Sequence, residues 1–183
     1  MFEIQPNSVE EFKEIIQQEG NFECWKASGL TCFIYRFKPW GHWCGYVGVP
    51  KSHKLYGLDY QKPSKALKNL WEKRKRQKVN IKRLGLGVLT NILFGELKPS
   101  PENIFDVHGG ITFSGQHRVW KLDNKWFFGF DTCHHGDLNL SLILSSRNPE
   151  EELKEWENFG HTYKTKEYVI RETEKLAYQI AAV

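Results

Sequence analysis

Apolar residues recur at helical spacing near both ends of the chain and form short continuous or alternating runs through its middle, a pattern that places helices around a sheet. Ser8-Val9-Glu10-Glu11 has the form of a capping box, in which the serine oxygen accepts from the third helical amide and Glu11 reaches back. A helix to about Glu19 follows, with Phe12, Ile15 and Ile16 as its buried stripe and Gly20 placed to end it in a left-handed conformation. Leu30 to Phe37 is apolar on both parities, as a strand covered on two faces should be. Lys38-Pro39-Trp40-Gly41 then turns the chain into a second strand, His42 to Val49. Pro50 to Gly57 is an irregular loop, and Ser64 to Lys78 has helical spacing in Ala66, Leu67, Leu70 and Trp71. Leu138 to Asn148 reads as loop with a short apolar run. Pro149 to Asn158 begins with proline and acids, as a helix amino end prefers. A last helix runs from about Thr165 to Ala181, packing through Val169, Thr173, Leu176, Ala177 and Ile180, with Tyr168 and Glu172 on one flank. The expected fold class is α+β, a mainly antiparallel sheet flanked by helices.

The chemistry concentrates in two glycine-bounded stretches, His108-Gly-Gly-Ile-Thr-Phe-Ser-Gly115 and Gly129-Phe-Asp-Thr-Cys-His-His-Gly-Asp137. The runs Ile111 to Ser114 and Trp126 to Asp131 have the β-branched and aromatic character of paired strands, and a Leu-Asp-Asn turn signal lies between them. In a symmetric hairpin the start of the first strand lies beside the end of the second, which brings His108 to Asp131 and to the His134-His135 doublet. Trp126, Phe128 and Phe130 share one face, leaving Phe127, Gly129 and Asp131 on the other. Strand glycines often mark close approach of a ligand or another backbone, and here they adjoin a histidine and a carboxylate.

Length and composition narrow the alternatives. A chain of 183 residues fits a single α+β domain spanning residues 1–183. No amino-terminal signal pattern and no membrane-length apolar run is present, so the expectation is a soluble, cytoplasmic protein. Cys24, Cys32, Cys44 and Cys133 have no Cys-x-x-Cys spacing and lie mostly in strand-like runs, which suits buried thiols better than disulfides or structural zinc. The formal net charge is only +4, yet Lys73, Arg74, Lys75, Arg76, Lys78, Lys82 and Arg83 cluster in one segment. This run belongs to a basic helical or loop segment around residues 62–104. It is read as a solvated helix face, with nucleic acid or another polyanion as the alternative partner. Leu84-Gly85-Leu86-Gly87 lacks the later glycine or the Gly-Lys-Ser/Thr of a nucleotide fingerprint.

Four motifs occur in order: Cys44-Gly-Tyr-Val-Gly-Val-Pro50 with His53, the His108 stretch, Phe128-Gly-Phe-Asp-x-x-His134-x-Gly-Asp137, and Tyr168-Val169 with Glu172. In these the chain resembles a family of uncharacterised proteins common in phages and prophages. The resemblance implies a phage-type accessory protein in the bacterial host cytoplasm, where small proteins of this kind destroy or sequester nucleotide signals of host defence. The side chains allow the same reading, a binder of a small phosphorylated nucleotide, linear or cyclic, with hydrolysis as its extension. In that reading His108, Asp131 and His134 are the catalytic candidates. Arg36, His53, Thr112, Ser114 and Asp137 are the ligand contacts, and no cofactor or metal is called for. One alternative is a metal-dependent hydrolase using His108, Asp131, His134, His135 and Asp137 for zinc or manganese, although Asp-x-x-His-His-x-Asp matches no established metal signature. The other is an interaction protein that inhibits a host enzyme through Trp40 and Trp43.

Overall fold

The computed structural model describes residues 2–37, 40–75, 98–117 and 124–183. Its elements in chain order are β1 (Glu3–Ile4), α1 (Val9–Glu19), β2 (Phe22–Ala27), β3 (Leu30–Arg36), β4 (Trp43–Pro50), a 3-10 turn (Lys65–Leu67) leading into α2 (Lys68–Lys75), α3 (Pro101–Ile104), β5 (Phe113–Gly115), β6 (Lys125–Asp131), α4 (Leu140–Ile143), α5 (Pro149–Asn158), β7 (Tyr163–Lys164) and α6 (Lys166–Ala181). Five strands form one antiparallel sheet in the order β2-β3-β4-β6-β5, and β1 pairs with β7 as a separate antiparallel ribbon. The fold is therefore α+β, as the hydrophobic pattern predicts. The basic run beyond Lys75, the Leu84 to Gly87 stretch, Lys38-Pro39 and most of the hairpin connection fall outside the described residues.

Alternation along the strands explains why the sheet is buried on both sides. One face carries Cys32, Ile34, Val47, Val49, Phe128 and Phe130, and α6 lies across it on β3 and β4. Thr165 caps α6 by accepting from Tyr168 N at 3.3 Å, and the stripe Val169, Thr173, Leu176, Ala177 and Ile180 is fully buried. Burying an aliphatic side chain of this size contributes about 1.5–3 kcal/mol. Helix and sheet approach closely because Gly45 has no side chain: a Cβ there would lie 2.4 Å from both Thr173 Oγ1 and the Phe130 ring. The opposite face is an aromatic cluster in which Phe33 stacks on Tyr46 at 4.6 Å and His117 meets Phe33, Tyr46 and Phe127 edge-on. Phe127 thus lies in packed surroundings and not on a solvated face.

Local signals account for most boundaries. Ser8 Oγ accepts from Glu11 N at 3.1 Å, but Glu11 reaches one residue further back than a capping box requires, accepting from Asn7 N at 2.6 Å. The stop at Gly20 has φ 72, in keeping with its lack of a Cβ. Two sequence expectations change. Leu138 to Asn148 contains the helix α4, capped by Asn139, whose side chain accepts from Ser141 N. Cysteine burial divides evenly: Cys32 and Cys44 are buried, Cys24 and Cys133 are exposed, and all four are free thiols.

Candidate functional site

The site forms at the end of the sheet where β4 begins and β6 ends. Three loop segments converge there on the first half of α6. After Val107 the chain turns sharply, Gly110 N donating to Val107 O at 3.0 Å with Gly109 at φ 66 and Gly110 at φ 89. His108, at the head of this turn, is fixed from three directions. Its backbone N–H donates to Glu172 Oε2 at 2.8 Å, its Nδ1 lies 2.9 Å from the Tyr168 hydroxyl, and its Nε2 lies 2.9 Å from Asp137 Oδ2. Phenol, imidazole and carboxylate therefore stand in a line, with both ring nitrogens engaged.

Asp137 closes a second turn, in which its N–H donates to His134 O at 3.0 Å while Gly136 supplies a positive φ of 93. The turn is sewn to the strand leading into β7: Leu138 N donates to Thr162 O at 2.9 Å and Thr162 N to Gly136 O at 3.0 Å. The Asp137 carboxylate is 3% exposed, so it is a buried charge that must be paired. Oδ2 accepts from His134 N at 2.9 Å as well as meeting His108, and Oδ1 lies 3.5 Å from Lys164 Nζ. Burial pushes this carboxyl up, and the hydrogen bond to His108 and the neighbouring His134 outweigh burial and hold it well below the usual carboxylate range.

His134 faces Asp137 and Asp131 through one atom. Its Nδ1 is 3.6 Å from Asp137 Oδ2 and 3.7 Å from Asp131 Oδ1, too far for hydrogen bonds, and the atom is buried without a hydrogen-bond partner. The Asp137 carboxylate holds this imidazole above its ordinary value, against burial and with support from Asp131. At these separations the pull is charge attraction rather than a formed hydrogen bond. The ring lies directly over Gly109, where a Cβ would come within 2.1 Å of His134 Cε1. Asp131 is held in turn by Thr112, whose hydroxyl donates to Oδ2 at 2.8 Å, and by Cys133 N, which donates to Oδ1 at 3.1 Å.

His108, Asp131, His134, Asp137 and Thr112 thus come together as the hairpin argument expects, while three other expected contacts do not. Arg36 is 1% exposed and lies on the helix-covered face over the Trp43 ring, 4.1 Å from its centroid. It donates to Glu19 Oε2 at 2.7 Å and to Tyr163 OH at 2.8 Å, so its fork is occupied by a buried ion pair tying α1 to β7. Trp43, fully buried in this cluster, presents no interface anchor. His53 lies in the turn after Pro50, which stands six residues along β4 from the Cys44 position that pairs with Asp131, about 20 Å from the site at ~3.3 Å per residue. There its Nδ1 accepts from Leu55 N at 3.2 Å. Ser114 pairs with Phe128 and accepts from Tyr60 N at 2.9 Å, fastening a loop rather than a ligand. His135, exposed, turns away to meet the His161 ring at 5.1 Å.

Two neighbours escape sequence reasoning. Lys164 bridges Asp137 Oδ1 and Glu3 Oε2, the latter at 3.1 Å, and is carried by a two-residue strand too short to announce itself. His42 stacks on exposed Phe37 at 5.6 Å with its Nδ1 3.4 Å from Asn139 Nδ2; burial pushes it down, partly countered by Asp131. Cys44 contributes no nucleophile, because burial, reinforced by Asp131, pushes its thiol up to about 12. An open cleft of about 380 Å³ lined by Glu3, Ile4, Gln5, Pro6, Glu11 and Thr162 lies beside β1, and no imidazole of the site lines it. Among the described residues no helix is long and apolar enough to cross a membrane. Compared with known protein families, curated proteins and solved structures, the chain matches none.

Proposed function

We propose that this site binds and hydrolyses a small phosphorylated molecule of the nucleotide class. The observation that carries the proposal is the line Asp137–His108–Tyr168, with both imidazole nitrogens held at 2.9 Å. A buried carboxylate that stays ionised fixes the orientation of His108, and an imidazole held in one orientation beside a second imidazole is what a site acting on a phosphoryl group requires. His134 is the second imidazole, placed to donate to a phosphoryl oxygen, and Lys164 supplies the nearest fixed positive charge to Asp137. Asp131, anchored by Thr112, is the remaining base. With Arg36 and His53 engaged elsewhere, the anion contacts reduce to His134 and Lys164, and the stacked Phe37–His42 pair, whose imidazole feels the Asp131 charge, offers an aromatic surface for a base. The motif resemblance extends the reading to a phage-type protein that removes a nucleotide signal of host defence.

Incubation with a panel of linear and cyclic nucleotides, followed by chromatography before and after protein denaturation, tests the proposal. New products that disappear in His108→Ala support hydrolysis. Ligand that vanishes and returns intact on denaturation reduces the function to sequestration. An unchanged panel with no heat of binding rejects both.

A further inference from the structure

We infer that the same cluster is a mononuclear site for a divalent transition ion of the zinc class, held by His108 Nε2, His134 Nδ1 and Asp137 Oδ2. One ligand atom from each residue lies within 4.8 Å of the other two. For zinc bonds of about 2.0–2.1 Å, the edges of a coordination tetrahedron are about 3.3 Å. The two edges to Asp137 Oδ2 bracket that value, 2.9 Å from His108 Nε2 and 3.6 Å from His134 Nδ1. The Asp131 oxygen 3.7 Å from His134 Nδ1 is the next carboxylate in reach. Outer contacts match what a metal-bound imidazole needs, since the nitrogen of His108 that faces away from the cluster is engaged by the Tyr168 hydroxyl at 2.9 Å. A second, independent sign is His134 Nδ1, buried yet without a hydrogen bond and aimed between two carboxylates. Buried polar atoms are ordinarily satisfied, and an ion between these groups satisfies this one. Two imidazoles and one carboxylate leave the fourth position to water, the arrangement of catalytic rather than structural zinc. His135, included in the sequence-based ligand set, drops out because it faces His161.

This inference deepens the hydrolytic reading of the same site, with His108 serving as a ligand and Asp131 left as the base, and its test separates the two. Chelator-stripped protein is titrated calorimetrically with zinc and, separately, with manganese, and cobalt substitution is followed by visible absorption. One equivalent of zinc, with tetrahedral cobalt bands, is the expected result. His134→Ala, whose ring is part-exposed and removable without opening the core, should weaken zinc binding at least tenfold while circular dichroism stays native. His135→Ala should bind as the parent does. No stoichiometric binding of either ion, or zinc binding that survives His134→Ala unchanged, overturns the metal site. Nucleotide turnover that persists in excess chelator would overturn the metal site and leave the hydrolase standing. Stoichiometric zinc with an unchanged nucleotide panel would do the opposite.

Discussion

Adding one methyl group at Gly109 should disable the site while sparing the fold. An alanine Cβ there would fall 2.1 Å from His134 Cε1 and 2.5 Å from both ring nitrogens, where ordinary contact begins at 3.4 Å. Relief requires the ring to retreat by about 1.3 Å, the difference between those distances. His134 can do so, because its side chain is 29% exposed and its Nδ1 makes charge contacts rather than hydrogen bonds. The backbone adds its own cost: φ at this position is 66, and an L-residue there loses about 1–2 kcal/mol, partly offset by the stiffer unfolded chain. A fall in Tm of about 2–8 °C follows for a domain of this size. The effect on chemistry should be much larger, because a displacement near 1 Å costs about 10²-fold in rate. Thermal denaturation, zinc titration and the nucleotide panel together check this. The double variant Gly109→Ala/His134→Ala should lose no more zinc affinity than His134→Ala alone, since the obstructed ring is gone. Unchanged zinc affinity and turnover at a normal loss of Tm would refute the placement of His134 over Gly109, and collapse of the fold would show that the ring has no room to yield.

Arg36→Ala should cost about 3–5 kcal/mol in denaturant unfolding by leaving the Glu19 carboxylate unpaired, with ligand affinity intact at temperatures where the variant is folded; lost affinity at full stability would return Arg36 to the site. Tyr168→Phe removes the hydroxyl on His108 Nδ1 and should lower turnover by about 10–100-fold with native circular dichroism and a displaced pH optimum; an unchanged pH profile would mean that the phenol only packs. Burial among Phe33, Tyr46 and Phe127 lowers the pKa of His117, so the unfolded chain takes up the proton first as pH falls and stability declines below about pH 6.5. His117→Phe should flatten that acid limb in unfolding measured between about pH 7 and 5, and an identical slope in both proteins would refute it.

Long periodic segments were legible without coordinates because their signals are local. The α1 and α6 stripes, the β3 and β4 pair and the β5–β6 hairpin each follow from spacing, caps and turn residues. The hairpin was the step that reached the site, since pairing through Phe113 and Gly129 brings the turn after Val107 to the end of β6. Edge strand β2 and the ribbon β1–β7 were not legible: two-residue strands have no periodicity, and Trp25 and Ala27 are only half-covered along β2. Lys164 was lost with them. A lone cation on an apolar strand looks alike in sequence whether it awaits an anion or, like Arg36, already has one. Its partners Glu19 and Tyr163 are 17 and 127 residues away.

The missing side chain at Gly45 has a consequence beyond packing. It sets how near α6 lies to the sheet, with Thr173 and Phe130 filling the space a Cβ would need. Four and five residues before Thr173 on that helix's own rail are Val169 and Tyr168, and one residue before it is Glu172, so the helix that closes the interior also delivers two of the three anchors of His108. The histidine–aspartate cluster is thus positioned by the thickness of the interior. A larger residue at Gly45 would press on Thr173 and, through the helix, on the Tyr168 and Glu172 anchors of His108 together.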